Sequence, residues 1–341
     1  MTLDLIRTAL AEIARPYGDK RTQHCRVEAT AWSGKRCTLA GAVLDVDTAT
    51  TLLLGLATRF PATTFDTAGV RVLRAAEPRL LTVVTNLTSL HVGPSFLAEP
   101  LSQLLNGWRL EILEEQDLWA FVRLADGYLG WTYLPYLADV PAPTPTHLVS
   151  EPLLLLRAAP SAESPLSGRL LAGTAVCVVD RIGAWTCLAL AGGSMGWAPA
   201  SALRDPEAQP AEAPERQGQM AADALRFLGT PYLWGGGSTF GTDCSGFVQM
   251  VHRLSGLTLP RDADMQHAAG QPVTPPFRPG DLLFFGGGSG HRPISHVGMS
   301  LGGWQMVHAS RARNGVYVDD VQTVPHLRDR FLAAVTFVGP S

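Results

Sequence analysis

The sequence predicts a multidomain α+β protein: a small αββαβ module, two copies of a repeated β unit, and a C-terminal domain that carries the chemistry. Three observations predict it. Helix-like and strand-like patterns alternate over residues 1–77. Residues 104–139 then align without gaps on 170–205, at an offset of 66. Finally, a glycine-rich loop, Trp234-Gly235-Gly236-Gly237, leads into Asp243-Cys244-Ser245-Gly246-Phe247, which opens an apolar helical pattern through Val248, Met250, Val251 and Leu254.

Composition narrows the function classes. A chain of 341 residues is long enough for two or three domains of ordinary size. Its apolar fraction of 46% and charged fraction of 17% describe a globular protein. A net charge of −3 gives no general attraction to nucleic acid or to an anionic membrane. No run approaches the roughly 18 apolar residues of a membrane span. Residues 1–20 lack the basic-then-apolar layout of a signal peptide, so a cytoplasmic location is expected, with export only if a signal peptide was removed. Five cysteines, an odd number with no C-x-x-C pair, fit a reducing compartment. A Cys177–Cys187 bridge would suit only an exported form.

The module of residues 1–77 reads as a helix through Leu5, Ile6, Leu10 and Ile13 that ends before Pro16. Strands follow at 25–31 and 37–43, joined by Ser33-Gly34-Lys35. A helix over 47–60 is capped by Asp47 or Thr48, and 70–73 is a last strand. The αββαβ order is similar to small BON-type binding modules, whose partner here is unknown. His24, beside Cys25, is an ordinary strand histidine in this reading.

The two repeat copies share Leu-Leu-x-Gly, a tryptophan (Trp119, Trp185) and a later Gly-Trp (Gly130-Trp131, Gly196-Trp197). Short alternating strands with a turn before Gly-Trp resemble bacterial SH3-like barrels. The expected boundaries are 78–140 and 147–205, with a stiff proline-rich connector over 141–146. Tyr128 of the first copy becomes Ser194 in the second. A linker rich in Pro, Glu and Ala over 205–217 precedes the last domain, 218–341, which opens with a helix over 220–228.

A cysteine in the first turn of a helix meets unpaired N–H groups and the positive end of the helix dipole, and both favour the thiolate. A thiolate also needs an imidazole to hold it and later to protonate a leaving amine. That imidazole needs a partner on its other nitrogen to fix its tautomer. His296 and His308 lie in strand-like runs that can form a hairpin across Leu301-Gly302-Gly303. A three-residue loop sets His296 directly opposite His308, whereas a two-residue turn opposes His296 with Ala309. The pairing therefore predicts a three-residue loop or a bulge. The oxyanion takes the N–H of Cys244 as one donor. A zinc site from Cys244, His291, His296 and His308 is the metal alternative. It has no H-x-x-E-H or C-x-x-C pairing behind it, so neither a metal nor a cofactor is expected.

The motifs occur in one order: Gly229-Thr-Pro-Tyr232-x-Trp234-Gly-Gly-Gly, Asp243-Cys244-Ser245-Gly246-Phe247, Leu259-Pro260-Arg261, Pro279-Gly280-Asp281-Leu282, Ser295-His296-Val297-Gly298 and Val307-His308-Ala309-Ser310. Residues 218–338 thereby resemble the NlpC-type γ-D-glutamyl–diamino-acid endopeptidases, papain-like hydrolases that cut bacterial cell-wall stem peptides. The resemblance implies a papain-like domain with Cys244 as nucleophile, His296 as base, His308 as orienting residue and Tyr232 as a second oxyanion donor. In relatives with two N-terminal barrels, it further implies that Asp243, Tyr128 and Glu99 close on the free amine of an N-terminal L-alanine. Ser245, Arg261 and Asp262 match substrate-side positions, although Ala263 stands where a serine often follows the Arg-Asp pair.

The implied substrate is a murein stem peptide with a free N-terminal L-Ala, cut to release L-Ala-γ-D-Glu during recycling. The alternative is a wall hydrolase or amidase anchored to peptidoglycan by its SH3-like domains.

Overall fold

The computed structural model describes every residue except Met1, Gln209, Ala211, 288–292 and 340–341. The chain divides into two compact units, Met1–Leu81 with Leu110–Thr132, and Thr82–Arg109 with Tyr133–Ser341. Among the described residues, no helix is long and apolar enough to cross a membrane.

The first unit opens with α1 (Leu3–Ala14), β1 (Cys25–Ser33), β2 (Arg36–Val43), α2 (Val46–Arg59) and β3 (Thr64–Val72). β1 and β2 are antiparallel, while β2 and β3 are parallel with α2 as the crossover. Ile6 and Leu10 of α1 meet Leu39, Leu52 and Leu56 in one core. The cap of α2 differs from expectation. Asp45, in extended conformation, accepts from the Thr48 N–H at 2.9 Å and from its hydroxyl at 2.7 Å. Thr48 is therefore the donor to the cap, and Asp47 lies inside the first turn. β3 starts six residues before the expected 70, because Thr64–Asp66 join the parallel ladder opposite Arg36–Thr38 despite their weak apolar pattern.

Later in the same unit, residues 111–116 pair antiparallel with 119–123. Leu113, Phe121 and Leu129 form a core with Ala42, Leu44 and Leu73. His24 lies against Phe121, with ring centroids 5.5 Å apart.

The repeat is literal in secondary structure. Strands Leu87–His91, Pro100–Leu105, Arg109–Gln116, Trp119–Arg123 and Leu129–Tyr133 recur as Leu153–Arg157, Leu166–Leu171, Ala175–Ile182, Trp185–Ala189 and Met195–Pro199, each displaced by 66 residues. Left-handed turn positions repeat at the same offset, including Gly107 with Gly173 and Gly127 with Gly193. The second copy lies wholly in the second unit as a seven-stranded sheet around Leu154, Leu156, Leu170, Val176 and Leu188. All five cysteines are free, Cys177 and Cys187 included.

The C-terminal domain packs α3 (Ala213–Leu225) and α4 (Cys244–Leu254) against a six-stranded antiparallel sheet. Its strands are β4 (Gln271–Pro272), β5 (Leu282–Gly286), β6 (Ile294–Gly302), β7 (Gln305–Ser310), β8 (Gly315–Asp320) and β9 (Phe331–Thr336), in spatial order β4-β9-β5-β6-β7-β8. Phe247, Val248, Val251 and Leu254 bury one face of α4 against Leu282, Phe284, Val297, Met299 and Val307. α3 begins inside the segment expected to be linker, with Pro214 in its first turn. Arg204, at the end of the second copy, donates to both oxygens of Asp223 in α3 at 2.6 and 2.8 Å.

Candidate active site

Cys244 is the first residue of α4, and Asp243 is its cap. Asp243 Oδ1 accepts from the Gly246 N–H at 2.7 Å, and Oδ2 accepts from the Gly235 N–H at 2.9 Å. The same carboxylate receives both arms of the Arg261 guanidinium, at 3.0 and 2.6 Å, and the Ser245 hydroxyl at 3.2 Å. Arg261 also donates to Ser245 Oγ at 2.9 Å and to Ser102 Oγ at 3.2 Å, and it is 2% exposed. A buried carboxylate needs this much neutralisation to stay ionised. Gly246 is required by the approach of the glycine-rich loop, since a Cβ there would stand 2.0 Å from the Gly236 carbonyl oxygen.

The two histidines come from neighbouring strands, β6 and β7. Met299 pairs with Val307 and Ser300 with Met306, then a bulge at Leu301 brings Gly302 opposite Gln305. The turn is therefore Gly303-Trp304 with a bulge, not a three-residue loop. This register corrects the direct opposition of His296 and His308. Gly298 is the residue opposite His308: a Cβ on it would stand 2.9 Å from the His308 Cβ and 2.3 Å from Met306 Sδ. His296 lies one pleat further along the same face, diagonal to His308. Its Nε2 lies 2.7 Å from His308 Nδ1. His308 Nε2 in turn lies 2.9 Å from Asp319 Oδ2 on β8. The array therefore runs diagonally across β6, β7 and β8.

The electrostatics favour neutral groups at rest. Burial pushes the Cys244 thiol up to about 12, and the Asp243 carboxylate adds to the shift. The N–H groups of Val297 and Ser245, with Arg261, pull the other way. The expected lowering at the helix start is thus outweighed by desolvation. Burial also holds His296 well below the ordinary imidazole range, with His308 adding to it. For His308, burial lowers the imidazole and outweighs the hydrogen bond it donates to Asp319. The Val297 amide marks the contact of the thiol with β6 one residue from His296. Because His296 Nε2 is taken by His308, Nδ1 is the nitrogen left for the thiol.

Tyr232 packs against the core cluster that contains Cys244. Burial, then Cys244 and Asp243, raise its phenol, which stays protonated as a donor. The N–H of Cys244, first in the helix, has no carbonyl four residues back within it.

Next to this centre runs the edge of the first repeat copy. Glu99 Oε1 accepts from Trp234 Nε1 at 2.7 Å. Gln103 Oε1 accepts from the Gly237 N–H at 2.9 Å. Together with Ser102 on Arg261, these bonds fasten strand Pro100–Leu105 to the glycine-rich loop and its guanidinium.

Of the sequence-predicted residues, Cys244, His296, His308, Tyr232, Asp243, Ser245, Arg261 and Glu99 thus gather around the start of α4. Asp262 precedes the short helix Ala263–Ala269 and gives it no side-chain cap. Tyr128, in the other unit, is 3% exposed and its N–H donates to Asp126 Oδ1 at 3.0 Å. His291 lies outside the described residues. Asp319 and Gly298 escaped the sequence reading. The signal for Asp319 is its place two residues after Tyr317 in the strand paired with β7, which requires the β7–β8 register to read.

Residues 229–335 match the model of the NlpC/P60 family, and residues 90–132 match the bacterial dipeptidyl-peptidase Sh3 domain. "Dipeptidyl-peptidase 6" of Lysinibacillus sphaericus is 29% identical over 274 residues, 75% of this chain and 97% of that one. "Gamma-D-glutamyl-L-lysine dipeptidyl-peptidase" of Bacillus cereus is 29% identical over 67% of this chain and 72% of that one. The Bacillus subtilis protein of that name is 44% identical over 93 residues, and there the chain spans 31% of the relative's length. The crystal structure of an NlpC/P60 family protein from Bacillus cereus shares the fold, with a TM-score of 0.67 at 21% identity over 76% of this chain and all of that one. Residues 229–335 are thus an NlpC/P60 domain, and residues 90–132 are a bacterial dipeptidyl-peptidase SH3 domain.

Proposed function

We propose that this peptidase hydrolyses the γ-D-Glu–diamino-acid bond of cell-wall stem peptides whose N-terminal L-Ala is free, releasing L-Ala-γ-D-Glu. The observation that carries the reading is the bond between Glu99 and Trp234, which sets a carboxylate of the first repeat copy on the loop leading to Cys244. A substrate ammonium in an enclosed pocket needs a carboxylate partner. Asp243 already shares its charge with Arg261, so Glu99 takes the larger part of that recognition. A pocket closed beyond the amine accepts two residues on the acyl side. The names of the relatives support the same bond, as does the presence of Glu99 within the matched SH3 segment.

In this reading, Cys244 gives its proton to His296 Nδ1 and attacks the γ-carbonyl carbon of D-Glu. The oxyanion is held by the Cys244 N–H and the Tyr232 hydroxyl. Collapse breaks the C–N bond, and His296 protonates the departing amine of the diamino acid. Water, deprotonated by His296, then hydrolyses the thioester and restores the thiol. Arg261 and Ser245 act by holding Asp243 and the first turn of α4. Five unbridged cysteines fit work on recycled peptides in a reducing compartment.

The test offers L-Ala-γ-D-Glu-L-Lys beside its N-acetylated form and identifies products by mass spectrometry. Cleavage confined to the free tripeptide is expected, and equal cleavage of both sinks the reading. Glu99→Gln should raise KM for the free tripeptide about 10- to 100-fold, the worth of a hydrogen bond to a charged group. Pelleting of the chain with purified sacculi would point instead to an anchored hydrolase.

A further inference from the structure

We propose that Asp319, braced by Arg313, is a positioning residue for the reaction: it fixes the tautomer of His308 and, through it, the nitrogen that His296 presents to Cys244. The inference rests on Cys244 and His296 being the reacting pair.

The geometry runs in an unbroken line. His308 on β7 stands directly opposite Tyr317 of β8, which makes Asp319 its diagonal neighbour. The His308 Nε2–Asp319 Oδ2 distance is 2.9 Å, with His308 2% and Asp319 15% exposed at their side chains. The other oxygen, Oδ1, accepts from Arg313 at 2.7 Å. Arg313 lies over the Tyr317 ring, 4.0 Å from its centroid, so the guanidinium has a platform as well as a partner. A carboxylate held at both oxygens cannot rotate away from the histidine.

The proton positions follow from the partners. An ionised carboxylate only accepts, so the proton of neutral His308 sits on Nε2. His308 Nδ1 is then an acceptor, and His296 must carry its own proton on Nε2. The lone pair of His296 is thereby left on Nδ1, where it can receive the proton of Cys244. When the thiol ionises, that proton moves to His296 Nδ1. The resulting imidazolium keeps its Nε2–H on His308, and no proton leaves the array. Were His308 in the other tautomer, its Nδ1–H would donate to His296 Nε2 across the same 2.7 Å, and the His296 proton would sit on Nδ1, leaving no lone pair there for the proton of Cys244. Among the described residues, the titratable and charged groups facing the pair are Cys244 of α4, Asp319 and Arg313 from β8 and the turn before it, and His326 from the helix Pro325–Arg328.

The experiment compares Asp319→Asn, Asp319→Ala, Arg313→Gln and Cys244→Ala with the unaltered chain. Two readouts are taken on folded protein. One is kcat and KM against pH with L-Ala-γ-D-Glu-L-Lys. The other is the rate at which iodoacetamide alkylates Cys244, followed by mass spectrometry of its peptide, which needs no substrate. Asp319→Ala should lower kcat about 10- to 100-fold, the range seen when a carboxylate that orients a ligand histidine is removed, and KM should stay within about twofold. Alkylation should slow at neutral pH, with its midpoint moved to higher pH. Asp319→Asn keeps an acceptor oxygen and should lose less, and Arg313→Gln less again.

Asp319→Ala with unaltered kcat and an unaltered alkylation profile overturns the inference. So does a kcat loss that vanishes when rates are expressed per folded molecule. If the unaltered chain ignores the tripeptide while Cys244 alkylation still depends on Asp319, the substrate reading falls and this inference stands.

Discussion

His296 Nε2 lies 2.7 Å from His308 Nδ1, with the two rings crossing at 71°. The contact is diagonal across two antiparallel strands, and it leaves one nitrogen of His296 for the thiol. Replacing His308 removes an orienting acceptor but no substrate contact. His308→Ala should lower kcat by about 10²- to 10⁴-fold, the span of general acid–base assistance, with KM little changed. His308→Gln keeps an acceptor carbonyl and should recover part of the loss. Steady-state kinetics on folded protein checks both.

Gly298 makes that contact geometrically accessible. A methyl group at 298 would stand 2.9 Å from the His308 Cβ and 2.3 Å from Met306 Sδ. Gly298→Ala should therefore destabilise the chain by about 1–3 kcal/mol, the cost of overpacking, and depress kcat further by moving His308. Adding Met306→Ala should restore stability more than activity, because the contact with His308 persists. Denaturant midpoints beside kcat decide this.

Arg261 and Asp243 form a buried bidentate pair. Arg261→Met leaves Asp243 buried and uncompensated, and should cost about 3–5 kcal/mol. Arg261→Met combined with Asp243→Asn should be more stable than Arg261→Met alone. A double-mutant cycle with a coupling near zero would show that the pair carries no such weight.

His252 is buried in α4, its Nδ1 lies 2.8 Å from the Val248 carbonyl oxygen, and burial pushes it down to about 4. The unfolded chain therefore binds a proton here between about pH 6.5 and about pH 4 that the folded chain does not. Its contribution to stability is present above pH 6.5 and is lost as pH falls through that window. In His252→Gln, the slope of stability against pH between these values should be shallower by up to one proton, about 1.4 kcal/mol per pH unit. Chemical denaturation at a series of pH values measures it, and an unchanged slope would contradict the assignment.

Local pattern carried a large part of the reading. The cap-and-helix motif around Cys244, the αββαβ order of the first module and the 66-residue repeat all follow from spacings of a few residues or from self-similarity. Such features depend on the helical or strand period alone, and they are written in the chain. The first residues of β3 were lost for the converse reason: Thr64–Asp66 become strand only because β2 offers them a parallel edge.

The site shows the same division more sharply. From sequence alone, a cysteine, two histidines, a tyrosine and the acids around them could be assigned to one chemistry. Which residues touch was decided by tertiary structure. The turn at Gly303-Trp304, with the bulge at Leu301, sets His296 and His308 diagonally on one face instead of directly opposite. Asp319 enters only through the register of β7 with β8. The donors of Arg261 reach Asp243, Ser245 and, from the first repeat copy, Ser102. The physical reason is common to all three. Strand register and the neutralisation of buried charge are settled by contacts between segments far apart in the chain, and no local spacing encodes them.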